Sequence, residues 1–519
     1  MKKTIPLLFL AVLACLIAAE RWHTYREPLQ GDITFYALLG HELRLHRTLY
    51  DDLIDHKPPA IYATYAISEG LTRAGPGSVL LANIAAALVT LCGVYWAAYL
   101  PRRSFYSGLW AAALWATVCG DLTLEANQPN AEVFINACLI WAFVPLLQPQ
   151  KLRGPRTFYA GILLALSTLF WQAALPIALC LLAAHSAFSP SENRRDRIAE
   201  SLAMGATVAG AWVLTTLYFV LTRRGQDFYD LLFAYNRFYT THNGSLFSHV
   251  LRSFHPTTVP IDVFVGTGLL WGPLVLLCLT GLGLGTTEKS RPAWLRWLAY
   301  AAGVQLTIIL SANFFSHYYQ LWLPVLAVGS GWAIEEIEQK AHRTWAGTTA
   351  GILALGSLLA YEIPFYRLSP VEWSIRKYGA EFLVTQKLGE DLRSLLKPEE
   401  SFYEWGMQTG LYYWSGHLPP TGAFYNYFLM TGPLAERLSR RVLTELDRDP
   451  PDLFIAIHWM WPGAQRYETH PVYQWARQHY RPFEWEAHRG SFIFYALRGG
   501  SLEARILRGE APAHFLDKR

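Results

Sequence analysis

The chain has 519 residues, of which 52% are hydrophobic and 16% charged, with a formal net charge of +4 at pH 7. A soluble domain carries about 25% charged residues, so the missing charge points away from a wholly soluble protein and toward a membrane. The small positive balance, without a basic stripe, predicts no nucleic-acid partner.

The N-terminus, "MKKTIPLLFLAVLACLIAAE", combines two lysines with an apolar core, and its "VLAC" has the look of a lipoprotein cleavage box. The apolar run continues to Ala19 and many more follow, so an uncleaved first transmembrane helix is expected. About eleven spans of membrane-crossing length recur. They lie near 4–20, 76–100, 105–120, 130–147, 158–172, 173–188, 200–221, 262–285, 297–312, 318–334 and 345–361. The 158–188 run is long for one helix, and "WQAALP" (171–176) offers a break.

Lys2-Lys3, Arg102-Arg103, "QKLRGPR" (150–156), "ENRRDR" (192–197), "EKSRPAWLR" (288–296) and "QKAHR" (339–343) are basic and fall on alternate connections. The positive-inside rule then puts the N-terminus in the cytoplasm. Residues 20–75, 121–130, 222–261, 313–317 and everything after about 362 fall outside, with Arg223 and Arg224 a mild exception. Residues 58–71 are too short and interrupted to span, and are expected as a helix at the outer interface. From 363 the charge rises and apolar runs shrink to strand length: "SFYEWG" (401–406), "DLFIAIHWM" (452–460) and "SFIFYAL" (491–497). Helical segments, 380–396 and 434–446, lie between them, which predicts a C-terminal extracytoplasmic α/β domain over 363–519.

The six cysteines, Cys15, Cys92, Cys119, Cys138, Cys180 and Cys278, all sit in apolar stretches and form no Cys-x-x-Cys pair. They read as small apolar residues, not as a zinc or redox site. His41, His46 and His56 lack the spacing that would put metal ligands on one helix face.

Charged side chains beside membrane spans are costly and tend to be functional, and here they gather on the outer side. Asp51 and Asp52 read as solvated turn residues. Glu132 heads an apolar run, either as a cap at a helix N-terminus or as a working carboxylate. Lys57, before Pro58-Pro59, either snorkels or is a placed cation. His317, Tyr318 and Tyr319 form either an interfacial belt or part of a site. One reaction uses all of them: transfer of a sugar from a lipid phosphate. Its leaving phosphate needs a fixed cation, its acceptor hydroxyl a carboxylate base. Asp32 and Lys57, brought together by the folded first outer segment (20–75), would supply both.

The order Gly31-Asp32, "HKPPAIY" (56–62), "NAEVF" (130–134) and "HYYQLWLP" (317–324) resembles the bacterial branch of glycosyltransferase family 39. Protein O-mannosyltransferases and lipid A aminoarabinose transferases are its relatives in the membrane-embedded C-type glycosyltransferase superfamily. The resemblance covers about residues 1–362, and "FYEWGMQTGLYYWSGHLPPTGAFY" (402–425) is similar to the outer domain often attached to these proteins. It implies a polytopic α-helical fold, a polyprenyl-phosphate-linked sugar donor and inverting transfer at the bacterial cytoplasmic membrane. The acceptor would be a lipid, a glycan or a protein. Asp32 and Glu132 match the catalytic acids, Lys57 the donor-phosphate lysine and His317, with Tyr318 and Tyr319, the late motif. Arg237 is a candidate second cation on the phosphate.

Many relatives carry a second acid directly after the first, where this chain has Ile33. That departure favours a metal-independent mechanism with no cofactor. A ligase or polymerase using a pyrophosphate-linked glycan, a lipid-linked sugar transporter and a membrane-anchored binding protein are the competing readings.

Overall fold

A chain in hydrocarbon must satisfy its own backbone N–H and C=O groups, which long apolar runs do by folding as helices. The computed structural model describes residues 4–148, 154–188, 193–241, 244–254, 261–285, 290–457, 467–490 and 492–515. The helices of its first part are α1 (Thr4–His23), α2 (Gly31–Arg44), α3 (Ala60–Leu71), α4 (Pro76–Tyr99), α5 (Phe105–Val118), α6 (Ala131–Leu146) and α7 (Gly154–Phe170). Next come α8 (Leu175–Phe188), α9 (Arg194–Leu221) and the short α10 (Gly225–Tyr229), α11 (Asn236–Thr241) and α12 (Leu246–Arg252). Four long helices close the series: α13 (Ile261–Leu284), α14 (Arg291–Ser311), α15 (Trp322–Ala341) and α16 (Thr344–Glu362).

Among the described residues, five stretches are long and apolar enough to cross a membrane: Thr4–His23, Pro76–Tyr99, Arg194–Leu221, Arg291–Ser311 and Trp345–Arg367. Shorter apolar helices, α5 and α6 among them, pack against these. Small residues let the helices approach closely. A Cβ at Gly331 of α15 would lie 2.6 Å from the Ser107 carbonyl oxygen of α5. The 158–188 run does divide. A 3₁₀ turn, Gln172–Ala174, separates α7 from α8, and Pro176 sits in the first turn of α8, where proline is tolerated.

The segment 20–75 differs from the expected connection, because residues 31–44 form a helix. Its residues from Ile33 to Gly40 are buried on every side, so they carry no amphipathic period. α2 packs on α3, and a Cβ at Gly40 would come within 2.8 Å of the Tyr65 Cβ. The helix expected at 58–71 is α3, with Ile61, Tyr62, Tyr65, Ser68 and Glu69 buried.

After α16 the chain forms α17 (Pro370–Tyr378), α18 (Glu381–Leu395), β1 (Phe402–Trp405), α19 (Gly410–Ser415), α20 (Tyr427–Met430), α21 (Ala435–Arg448) and β2 (Leu453–Ile457). It ends with α22 (Pro471–His479), β3 (Tyr480–Glu484), β4 (Phe492–Leu497), α23 (Ser501–Leu507) and β5 (His514–Phe515). The strands make one sheet in the order β1-β2-β4-β3-β5. β1 and β2 are parallel, joined by a crossover that contains α21, and the other pairs are antiparallel. Residues 458–460 and Ser491 of the expected strands lie outside the described residues. β3 was not legible because Pro482 sits inside it, a residue that normally demotes a strand.

This C-terminal unit rests on residues 51–54 and on the segment around Asp230. The Ile54 N–H donates to the Gly422 carbonyl at 3.1 Å. Arg441 reaches Asp51 at 3.1 Å, and Arg437 reaches Asp230 at 2.8 Å. Asp52 shapes its turn by accepting from the Thr48 N–H and hydroxyl, both at 2.7 Å.

Candidate active site

Asp32 owes its place to a cap. Gln30 is extended, and its side-chain oxygen accepts from the Asp32 N–H at 2.9 Å, which starts α2 there. A carboxylate in the first turn of a helix is favoured by the unsatisfied N–H groups around it. One turn on, Tyr36 lies on the same face, and its hydroxyl accepts from Lys57 Nζ.

The Lys57 loop is pinned at three points. The Lys57 carbonyl accepts from the Tyr50 hydroxyl at 2.8 Å. The His56 carbonyl accepts from Asn236 Nδ2 at 2.8 Å and from Gln172 Nε2 at 3.5 Å. Asp55 accepts from the Tyr62 hydroxyl. The prolines after Lys57 add fixed φ angles, so the ammonium is held where Tyr36 meets it. The His56 ring sits among Tyr235, Tyr239 and Phe428, at 5.7, 5.5 and 5.6 Å between centroids. Burial lowers its pKa against the opposing charge of Asp55.

These groups open on one cavity of about 240 Å³. Asp32, Tyr36 and Lys57 line one side, His317 and Tyr318 another, and Glu381, Phe382, Met407, Thr409, Tyr425 and Tyr427 of the C-terminal unit the rest. Tyr318 is braced by Trp171, 4.6 Å between ring centroids. His317 Nδ1 lies 3.4 Å from Glu125 Oε2. Burial by itself would lower the His317 pKa, but Glu125 and the charge of Glu132 outweigh it and the net shift is upward.

Glu132 is buried in the first turn of α6. It does not line the cavity, but His317, Lys57 and Asp32 are its charged neighbours. Tyr319 turns away, donating to the Ser253 carbonyl at 2.8 Å. Arg237, on α11, is exposed and does not line the cavity. Among the described residues no cluster of three His, Cys, Asp or Glu side chains could hold a metal ion.

Sequence reasoning missed Tyr36, whose spacing of four from Asp32 becomes informative only once residues 31–44 are known to be helical. It also missed Glu381, which accepts from Gln408 Nε2 at 2.5 Å. Burial raises the Glu381 pKa, and Gln408 opposes the shift. No local signal marks Glu381, since the surfaces it meets across the cavity, around Asp32 and His317, are distant in the chain. Of the aromatic run at 411–414, Tyr412 is core, stacked on Phe402 at 4.4 Å. Half-buried Tyr413 and Trp414 line a second cavity of about 470 Å³ beside His41 and Glu69.

A second feature meets the Lys57 loop from within the helices. Leu175, Leu179, Val208, Trp212 and Leu217 line an apolar groove of about 730 Å³ between α8 and α9. Gln172, which holds the His56 carbonyl, is also on its wall.

No protein-family model matches the chain, and no curated protein does. Solved structures match it along nearly its whole length. ArnT from Cupriavidus metallidurans bound to undecaprenyl phosphate has a TM-score of 0.62 at 14% identity, covering 96% of this chain and 98% of that one. The same protein in the apo state gives 0.60 at 14% identity, covering 95% and 98%. The Archaeoglobus fulgidus oligosaccharyltransferase tethered with an acceptor peptide gives 0.53 at 13% identity, covering 96% and 74%. The chain therefore shares its fold with ArnT and with the Archaeoglobus fulgidus oligosaccharyltransferase.

Proposed function

We infer that this protein is an integral-membrane glycosyltransferase that moves one sugar from a polyprenyl-phosphate donor to an acceptor at the outer face of the bacterial cytoplasmic membrane, with inversion. The observation that carries this reading is the meeting of Asp32, the Tyr36-held Lys57 and His317 on one cavity. Asp32 takes the acceptor proton as general base. Lys57 faces the departing phosphate and offsets its charge as the glycosidic bond breaks. The buried Glu132 and His317 set the field around both.

The cavity has the scale of one sugar residue, which favours transfer of a single unit. The apolar groove ending at Gln172 suits a polyprenyl tail with its phosphate toward Lys57. The ArnT structure, similar in fold, holds undecaprenyl phosphate, which supports the same ligand class here. The wall from 381 to 427 selects the acceptor. In this reading the chain has about eleven spans of membrane length, a cytoplasmic N-terminus, a membrane domain over 1–362 and an extracytoplasmic domain over 363–519. Arg237, being exposed, takes no part in holding the phosphate.

The test is sugar release by purified protein in lipid nanodiscs, given radiolabelled polyprenyl-monophosphate sugars one at a time, wild type beside Asp32→Asn. Release by the wild type alone supports the assignment and names the donor. Consumption only of a pyrophosphate-linked glycan would replace it with the ligase or polymerase reading.

A further inference from the structure

α17 sends two consecutive side chains inward, Lys377 to Glu27 and Asn127 and Tyr378 to Glu125. Lys377 Nζ lies 2.9 Å from Glu27 Oε2, with both side chains 1% exposed, and donates to Asn127 Oδ1 at 2.9 Å. The other oxygen of Glu27 accepts from Asn127 Nδ2 and Gln128 Nε2, both at 2.6 Å. Gln128 Oε1 in turn accepts the Gln30 N–H at 3.2 Å. Gln30 is the residue whose side chain caps Asp32. The second side chain, Tyr378, donates to Glu125 Oε2 at 2.9 Å, the oxygen that faces His317. One turn back, Ser374 donates to the Pro28 carbonyl at 3.0 Å.

A buried Lys–Glu pair is a poor way to gain stability, because desolvating the two charges offsets most of their attraction. What such a network supplies is one fixed arrangement, since any slip strands a buried polar group. Its two branches end at the α2 cap and at Glu125.

We propose that Lys377 and Tyr378 are positioning residues for the transfer reaction, holding Asp32 through Glu27, Gln128 and Gln30, and His317 through Glu125. The proposal rests on the function inferred above. It makes the C-terminal unit part of the catalytic geometry as well as an acceptor-facing wall. A misplacement of about 1 Å in a reacting group costs roughly 100-fold in rate, which is the scale such a brace protects.

The experiment compares wild type, Lys377→Met, Gln128→Ala and Tyr378→Phe in nanodiscs, by amide hydrogen exchange and by steady-state sugar release. Gln128→Ala cuts the relay while leaving the Lys377–Glu27 pair, so the test survives if Lys377→Met does not fold. Lys377→Met and Gln128→Ala are expected to speed exchange at residues 30–36 while the β-sheet of the C-terminal unit is unchanged. Both should lower kcat by about 10- to 100-fold with KM for the donor nearly constant. Tyr378→Phe is expected to move the pH profile through His317 and leave exchange at 30–36 as it was. Unchanged exchange and unchanged kcat in the first two variants would overturn the proposal. Faster exchange at 30–36 in a protein whose wild type consumes no monophosphate sugar would support the brace and overturn the donor assignment.

Discussion

The two long walls of the cavity were built in different ways. Asp32, Tyr36 and Lys57 come from one contiguous stretch, shaped by a local cap, a helical turn and a double proline. Glu381, Phe382, Met407, Thr409, Tyr425 and Tyr427 come from the far end of the chain and reach the cavity only because the C-terminal unit docks on the outer segments. The first wall carries the charges that bond breaking needs. The second presents three aromatic rings, Phe382, Tyr425 and Tyr427, beside Met407, Thr409 and Glu381, the chemistry of recognition. Under the function proposed above, reaction falls to the first wall and acceptor choice to the second.

The sharpest way to break this contrast is on the first wall. Asp32→Asn should lower transfer by roughly 100- to 10,000-fold, the span of a lost general base. It should slow release of sugar to water as severely as transfer to an acceptor. Lys57→Ala should cost about 100- to 1000-fold in kcat, as expected when one group stabilising a developing charge is removed. Undecaprenyl phosphate binding, measured by competition, should weaken in Lys57→Ala and hold in Asp32→Asn. If either variant kept normal turnover at matched expression, the first wall would not be the reacting one.

Glu381→Gln tests the second wall. It should lower transfer by about tenfold, mainly through the KM of the acceptor, because it alters one hydrogen-bonding group among several. Donor breakdown to water should fall far less. Equal loss in both reactions would erase the distinction between the walls.

The same contrast governs what was legible in the sequence. The positions of the long helices, the break at 171–176 and the short helix at 60–71 follow from apolar run length and proline placement, which are local properties. Asp32, Lys57 and His317 stand out because charge beside a membrane span is costly enough to need a reason. α2 was not legible, since burial on all sides erases the period that marks a helix, and Tyr36 was missed with it. Glu381, Gln30, Asn236 and the Glu27–Lys377 pair carry no local signal. Their roles depend on which distant segments meet. Arg237 shows the converse. It has the right charge in the segment expected outside, yet its side chain is exposed on α11 and does not line the cavity.

His317 joins the walls and gives a pH signature. Its folded pKa lies above the ordinary value of 6.5, through Glu125 and Glu132 acting against burial. The imidazolium's contribution is therefore complete below pH 6.5 and is lost as pH rises through the higher folded value. Transfer should fall a few-fold along that limb. In His317→Gln the limb should vanish from the pH profile of kcat/KM, whatever the absolute rate.

The smallest effect on the reaction is expected behind the second wall. Glu404 is fully buried on β1, and burial raises its pKa to about 8, opposed by the Gln408 N–H, which it accepts at 3.2 Å. Gln408 also holds Glu381, so Glu404 supports the acceptor wall from below. The folded protein keeps this proton up to about pH 8, whereas an unfolded chain loses it near 4.5. Between those values the native state binds more protons, so stability falls as pH rises, by an amount on the order of a few kcal/mol in total. Glu404→Gln removes the titration while keeping an acceptor oxygen for Gln408. Its thermal midpoint should match that of the wild type at pH 5 and exceed it by a few degrees at pH 8, with sugar release to water unchanged. A variant that instead lost stability equally at both values would mean that the carboxyl is charged and paired in the folded protein. The second wall would then rest on a buried charge.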